Sequence, residues 1–151
     1  MLLEELLTPQ RCFARMDWPS KKRILASLSD CLAGTSRLLD SDEVYTGLIT
    51  REQLGSTGLG NGIAIPHCRV AKCTQITGAL VTLEEPVDYD AIDNNPVDLF
   101  FVLIVPEEKS DEHIKILAVI AELLDDKDFC LTLRTANDNE DLYSIAITHQ
   151  V

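Results

Sequence analysis

The chain of 151 residues is 46% hydrophobic, which fits one domain over residues 1–151 that buries about two-thirds of the surface its unfolded form exposes. Its 13 basic and 25 acidic residues leave a formal charge of −12, a balance that repels nucleic-acid backbones and anionic lipid and favours a protein partner with a basic face. The five cysteines, at 12, 31, 68, 73 and 130, form no paired Cys-x-x-Cys knuckle, so they argue against a metal centre and for reduced thiols in a cytosolic protein.

In chain order, "MLLEELL" carries two glutamates and no basic residue, unlike a secretory leader, and no apolar run reaches the roughly 20 residues that a membrane helix requires. A cytoplasmic location is expected, with no membrane insertion. From Ser20, a capping residue, the spacing of Ile24, Leu25, Leu28, Cys31 and Leu32 predicts a helix that ends at Gly34. The segment from 41 to about 54 repeats this pattern, with Ser41 or Asp42 as N-cap, Val44 and Leu48 on one face and Gly55 as the stop. It empties into the glycine-rich stretch "GLGNGIAIPHC", residues 58–68.

"IAIPH", "ITGALVTL" and "VDLFFVLIVP" are short, rich in β-branched and aromatic residues, and bounded by turn signals, so they read as strands. The last is apolar at almost every position, which implies burial on both faces and helices on both sides of a sheet. Between the second and third, the acidic "EEPVDYDAIDNNPVD" reads as a surface connection with a turn at Asn94-Asn95-Pro96. After Pro106, Ser110 is the expected cap of a helix with Ile116, Leu117, Ile120, Leu123 and Leu124 on its inner face, and short helices near 128–135 and 140–148 follow. The sum is an α/β or α+β single domain with about four or five strands and five helices.

The glycine stretch is not a nucleotide loop. No Lys-Ser/Thr follows it, and neither Gly58-x-Gly60 nor Gly60-x-Gly62 is completed by a third glycine three residues on. An ordinary turn and a nest of backbone amides around an anion both remain open. Pro66 removes a donor and fixes φ, which places His67 at the edge of the sheet. There a neutral imidazole, with an ordinary pKa of about 6.5, has a lone pair able to carry a covalent intermediate. Arg51 continues the Val44–Leu48 stripe, and by itself reads as a cation complementing the helix terminus. His113 shares a face with Ile116 and Ile120, and by itself reads as a core histidine.

The segment "TREQLGSTGLGNGIAIPHC", with "YDAIDNNPVDLFFVLIVP" and the final "DLYSIA", resembles the fructose/mannitol-type (type 2) enzyme IIA family of the bacterial phosphoenolpyruvate-dependent phosphotransferase system, in particular its nitrogen-related, free-standing members. The resemblance covers nearly the whole chain and implies a mixed sheet with helices on both faces. It implies that His67 is the residue that accepts a phosphoryl group and that Arg51 and His113 are its active-site partners, with Ser56, Thr57, Gly60, Asn61 and Gly62 as the candidate phosphoryl-binding loop. It further implies a histidine phosphocarrier protein as donor, no cofactor and no metal, and a regulatory outlet such as a transporter or kinase. A sugar-specific role, with phosphate passed to a IIB partner, and a purely phosphorylation-switched binding role are the alternatives. Cys68 departs from the pattern, since glycine is commoner there in relatives, and its thiol beside His67 reads as a tolerated small side chain or a redox-sensitive group.

Overall fold

Residues 100–104, Phe-Phe-Val-Leu-Ile, alternate between two cores rather than between core and water, and the rest of the molecule is layered around them. The computed structural model describes residues 3–108 and 111–149. After short 3₁₀ turns at Leu3–Glu5 and Pro9–Arg11, the elements are β1 (Cys12–Met16), α1 (Lys21–Ala33), α2 (Ser41–Gln53), β2 (Gly58–Gly60), β3 (Ile63–Ala64), β4 (His67–Val70), β5 (Thr77–Val87), β6 (Val97–Pro106), α3 (Asp111–Leu124), α4 (Lys127–Arg134) and α5 (Asn139–Thr148). The architecture is a single α/β domain with a mixed sheet of order β1-β5-β6-β3-β2, in which β4 also pairs with β6. Strand β6 runs antiparallel to β5 and parallel to both β3 and β4.

On one face Phe100, Val102 and Ile104 pack with Ile24, Leu28, Val44 and Leu48 of α1 and α2. On the other, Leu99, Phe101 and Leu103 pack with Ile116, Ile120, Leu133 and Leu142 of α3, α4 and α5. The expectation of helices on both sides is therefore met, and its cause is the one expected: a strand with no polar face must be covered twice. The Leu-rich N-terminus is part of the second core, where Leu3, Leu6 and Leu7 are buried and the Leu6 carbonyl accepts the Gly78 amide at 2.9 Å.

The local differences have identifiable causes. The sheet has six strands because β1, a five-residue edge strand with a bulge and a positive φ at Arg15, has too irregular a pattern to be read from sequence. Pro66 splits "IAIPH" into β3 and β4, so His67 opens a strand instead of ending one. Strand β5 continues through Glu84 and Glu85 to Val87, and Tyr89, in the expected surface connection, is fully buried. The N-cap of α2 is Asp40, whose Oδ2 accepts the Glu43 amide at 3.0 Å, rather than Ser41 or Asp42. Asp126 and Asp138 cap α4 and α5, while Ser20 caps α1 as expected. The proposed cap Ser110 lies outside the described residues. Among the described residues no helix is long and apolar enough to cross a membrane.

One close approach ties α2 to the strand that carries His67. A Cβ on Gly47 would stand 2.8 Å from Cys68 Sγ and 3.0 Å from Cys68 Cβ. In an open helix Gly→Ala gains about 1 kcal/mol. Here overpacking of about 1–3 kcal/mol opposes that gain. Gly47→Ala is expected to lower stability in the natural chain and to raise it in a Cys68→Gly background, a sign reversal measurable by urea unfolding.

Candidate active site

His67 is held by three features of the fold. It is the first residue of β4, which among the described strands pairs only with β6. It stands in register with Leu103 and two residues past Ile65, both members of the α3-side core, so its ring turns to that face at the sheet's edge. Its Nδ1 lies 2.8 Å from the Ile65 carbonyl. A carbonyl only accepts, so the Nδ1 proton donates to it and the Nε2 lone pair is left facing outward. Arg51 Nε–H, from the last turn of α2, donates to that Nε2 at 3.3 Å, and Arg51 Nη1 donates to the Gly55 carbonyl at 2.8 Å.

Burial lowers the His67 pKa below the ordinary imidazole value; the Ile65 hydrogen bond pulls it part of the way back, and the Arg51 charge lowers it again against a smaller upward pull from Glu52. The ring is therefore neutral at neutral pH, the protonation state a nucleophile needs. The folded form binds a proton less readily than the unfolded chain, so this residue favours the fold above about pH 6.5 and withdraws that contribution as pH falls through the lowered pKa.

His113 lies in the first turn of α3, three residues before Ile116 and seven before Ile120, on the helix stripe packed against the same sheet face. It is half-buried, and its Nδ1 is buried without a hydrogen-bond partner among the described residues. The two histidines thus share one face of the sheet, with Arg51 reaching the edge from the opposite layer.

The five expected loop residues divide. Ser56 and Thr57 form the base of a β-hairpin, where the Ile65 amide donates to the Thr57 carbonyl at 3.1 Å. Their hydroxyls are already engaged, Ser56 Oγ with the Tyr89 carbonyl at 2.9 Å and Thr57 Oγ1 with Glu52 Oε2. Gly60, Asn61 and Gly62 form the hairpin's far end, between β2 and β3. Gly62 stands five residues along an extended chain from His67, roughly 16 Å at about 3.3 Å per residue. The Asn61 amide donates to Asp93 Oδ2 at 2.9 Å, while Arg134 donates to Asp98 and to the Asn61 carbonyl. Asn61 (φ 58°) and Gly62 (φ 79°) adopt the left-handed conformations that a tight hairpin turn needs, and a Cβ at Gly62 would meet Arg134 at 2.8 Å. These three residues build the turn at the far end of the hairpin from His67.

Cys68 alternates to the opposite face, where burial pushes its thiol up to about 12. That holds it as a protonated packing group and favours the small-side-chain reading over redox sensitivity. Two residues that the sequence did not single out complete the surroundings. Glu52 is buried beside Thr57 and pairs with Lys21 Nζ at 3.1 Å; Lys21 in turn lies 4.5 Å over the Tyr89 ring. Glu52 had one signal, a carboxylate in the last turn of a helix, where the dipole disfavours it.

Fold and site together define an α/β domain organised around a neutral histidine at a sheet edge. Residues 5–148 match the family model "Phosphoenolpyruvate-dependent sugar phosphotransferase system, EIIA 2". The chain belongs to that family. It is similar to a nitrogen regulatory protein of Pseudomonas aeruginosa, 45% identical over 98% of this chain and 96% of that one. It is also similar to the crystal structure of nitrogen regulatory protein IIA-Ntr from Neisseria meningitidis, with a TM-score of 0.86 and 38% identity over 95% of this chain and 98% of that one. The mannitol enzyme IIA of Escherichia coli, solved in complex with phosphorylated enzyme IIB, shares the fold at a TM-score of 0.76 and 16% identity, covering 95% and 98% of the two chains.

The His67 titration, followed by NMR of the ring protons, is expected to have its midpoint below about 6.5. Arg51→Ala is expected to raise it, because removing the neighbouring cation eases protonation.

Proposed function

We propose that His67 accepts a phosphoryl group from a phosphohistidine on a carrier protein and that the modified chain acts as a nitrogen-related regulatory enzyme IIA. The observation that carries this reading is the pairing of His67 Nδ1 with the Ile65 carbonyl, which leaves Nε2 as the nucleophile under Arg51. In the transfer, the bond between phosphorus and the donor imidazole nitrogen breaks as the bond to His67 Nε2 forms. The donor ring recovers its lone pair. His67 keeps its Nδ1 proton and takes on positive charge, which the Ile65 carbonyl stabilises. Arg51 turns its donors from Nε2 to the phosphoryl oxygens, where charge-assisted hydrogen bonds offset the charge carried across. We assign His113, whose Nδ1 has no hydrogen-bond partner among the described residues, to the same shell. One phosphoramidate replaces another, so alignment and charge stabilisation suffice and neither metal nor cofactor enters the scheme.

The regulatory part of the reading rests on the relatives named nitrogen regulatory proteins. Phosphorylation adds roughly two negative charges beside Arg51 and alters what the surface around His67 binds, a transporter or kinase being the kind of target implied. The net charge of −12 favours a carrier with a basic face and a docking rate that falls as salt is raised.

Incubation with phosphoenolpyruvate, the first enzyme of the system and the carrier is expected to add one phosphoryl group, mapped by mass spectrometry to His67 and absent from His67→Ala. Arg51→Ala is expected to slow the transfer by roughly 10²-fold with the fold intact, the scale for losing one preorganised donor. A label that persists in His67→Ala removes the proposal.

A further inference from the structure

Arg51 is a long, half-exposed side chain, yet it holds one orientation against His67. Its only other hydrogen bond among the described residues is to the Gly55 carbonyl, so its placement is only as good as that of the short crossover, residues 54–57, between α2 and the hairpin. Glu52 fixes that crossover. It is 9% exposed and takes three donors: the Thr57 amide at 3.0 Å, the Thr57 hydroxyl and Lys21 Nζ at 3.1 Å. Lys21 opens α1 and is itself held over the Tyr89 ring and 3.6 Å from Asp90. From Thr57 the path continues through the backbone, since the Ile65 amide donates to the Thr57 carbonyl and the Ile65 carbonyl accepts from His67 Nδ1. Arg51 closes the ring of contacts from the other side.

A buried carboxylate at the carboxyl end of a helix is poorly placed for the helix itself, because the dipole there favours cations. An apolar residue would serve the packing of α2 with less desolvation. The use that the geometry gives this carboxylate is to bind donors from two other elements and hold the chain on either side of Arg51 and His67 in one arrangement.

We propose that Glu52, anchored by Lys21, is a positioning residue that locks the 54–57 crossover and thereby aims Arg51 at His67 Nε2. It touches neither the ring nor any incoming group; it acts through Thr57, Gly55 and Arg51. The inference rests on the transfer reading above only for its kinetic consequence, because the positioning itself is measurable with no phosphoryl donor present.

The test is a double-mutant cycle between Glu52→Ala and Arg51→Ala with two readouts on protein whose fold is checked by circular dichroism. The first is the His67 titration midpoint by NMR without any donor. Arg51→Ala is expected to raise it in the natural background and to leave it unmoved in the Glu52→Ala background, where Arg51 has already lost its place. The second is the rate of phosphoryl acceptance from the carrier. Glu52→Ala is expected to lose about 10-fold or more, the usual range for outer-sphere supports, with the Arg51→Ala loss no longer additive. If Arg51→Ala shifts the midpoint equally in both backgrounds, the proposal is overturned. Should Glu52→Ala not fold, Glu52→Gln, which keeps the volume and an acceptor for the Thr57 amide but drops the charge that holds Lys21, is read by the same criteria. A natural chain that takes no label overturns the transfer reading alone, since the titration arm still decides the role of Glu52.

Discussion

A hydrogen bond spanning two residues, from His67 Nδ1 to the Ile65 carbonyl, sets which ring nitrogen faces Arg51. It exists because Pro66 interrupts strand pairing between β3 and β4 without letting the chain leave the sheet. The register on β6 continues across the break, from Ile63 opposite Leu99 to His67 opposite Leu103. A proline at this position has no amide to donate, and its carbonyl still accepts the Leu103 amide at 3.0 Å. The break thus frees the residues around it for the imidazole while β6 keeps them in line.

Around that bond the site is assembled from parts far apart in sequence. The apolar strand β6 fixes the position of β4, α2 brings Arg51 to its edge from one layer, and α3, which carries His113, covers the other face of the sheet. The electrostatics follow from this placement. Partial burial keeps the imidazole neutral, and the adjacent guanidinium strengthens that preference while supplying donors for a group of opposite charge. The same cation that discourages protonation therefore encourages the arrival of an anion.

The surroundings of Arg51 are held by residues that do not themselves contact His67's Nε2. Glu52, Thr57 and Lys21 form a buried charged cluster joining α1, the end of α2 and the hairpin base, and its members fully engage the carboxylate they enclose. The far end of the same hairpin is occupied by a separate set, Asp93, Asp98 and Arg134, which holds the Asn61-Gly62 turn. One glycine-rich stretch thus serves two structural tasks. The base is tied to Glu52 and Tyr89, and the tip to Asp93, Asp98 and Arg134.

The amino-acid sequence by itself determined the elements whose signals are local and strong: α1 with its Ser20 cap, β6 as a strand buried on both faces, and the resemblance that singled out His67, Arg51 and His113. Its pattern missed β1, whose partner strand lies far along the chain, Cys12 pairing with Leu80, and it read the buried Tyr89 and the extension of β5 through two glutamates as surface because acidic residues surround them. Only the tertiary structure decided which histidine nitrogen is free, that Asn61 and Gly62 sit at a turn remote from His67, and that Glu52 is buried. Those outcomes depend on register, pairing and burial, which arise when distant segments meet and which no single stretch of chain encodes.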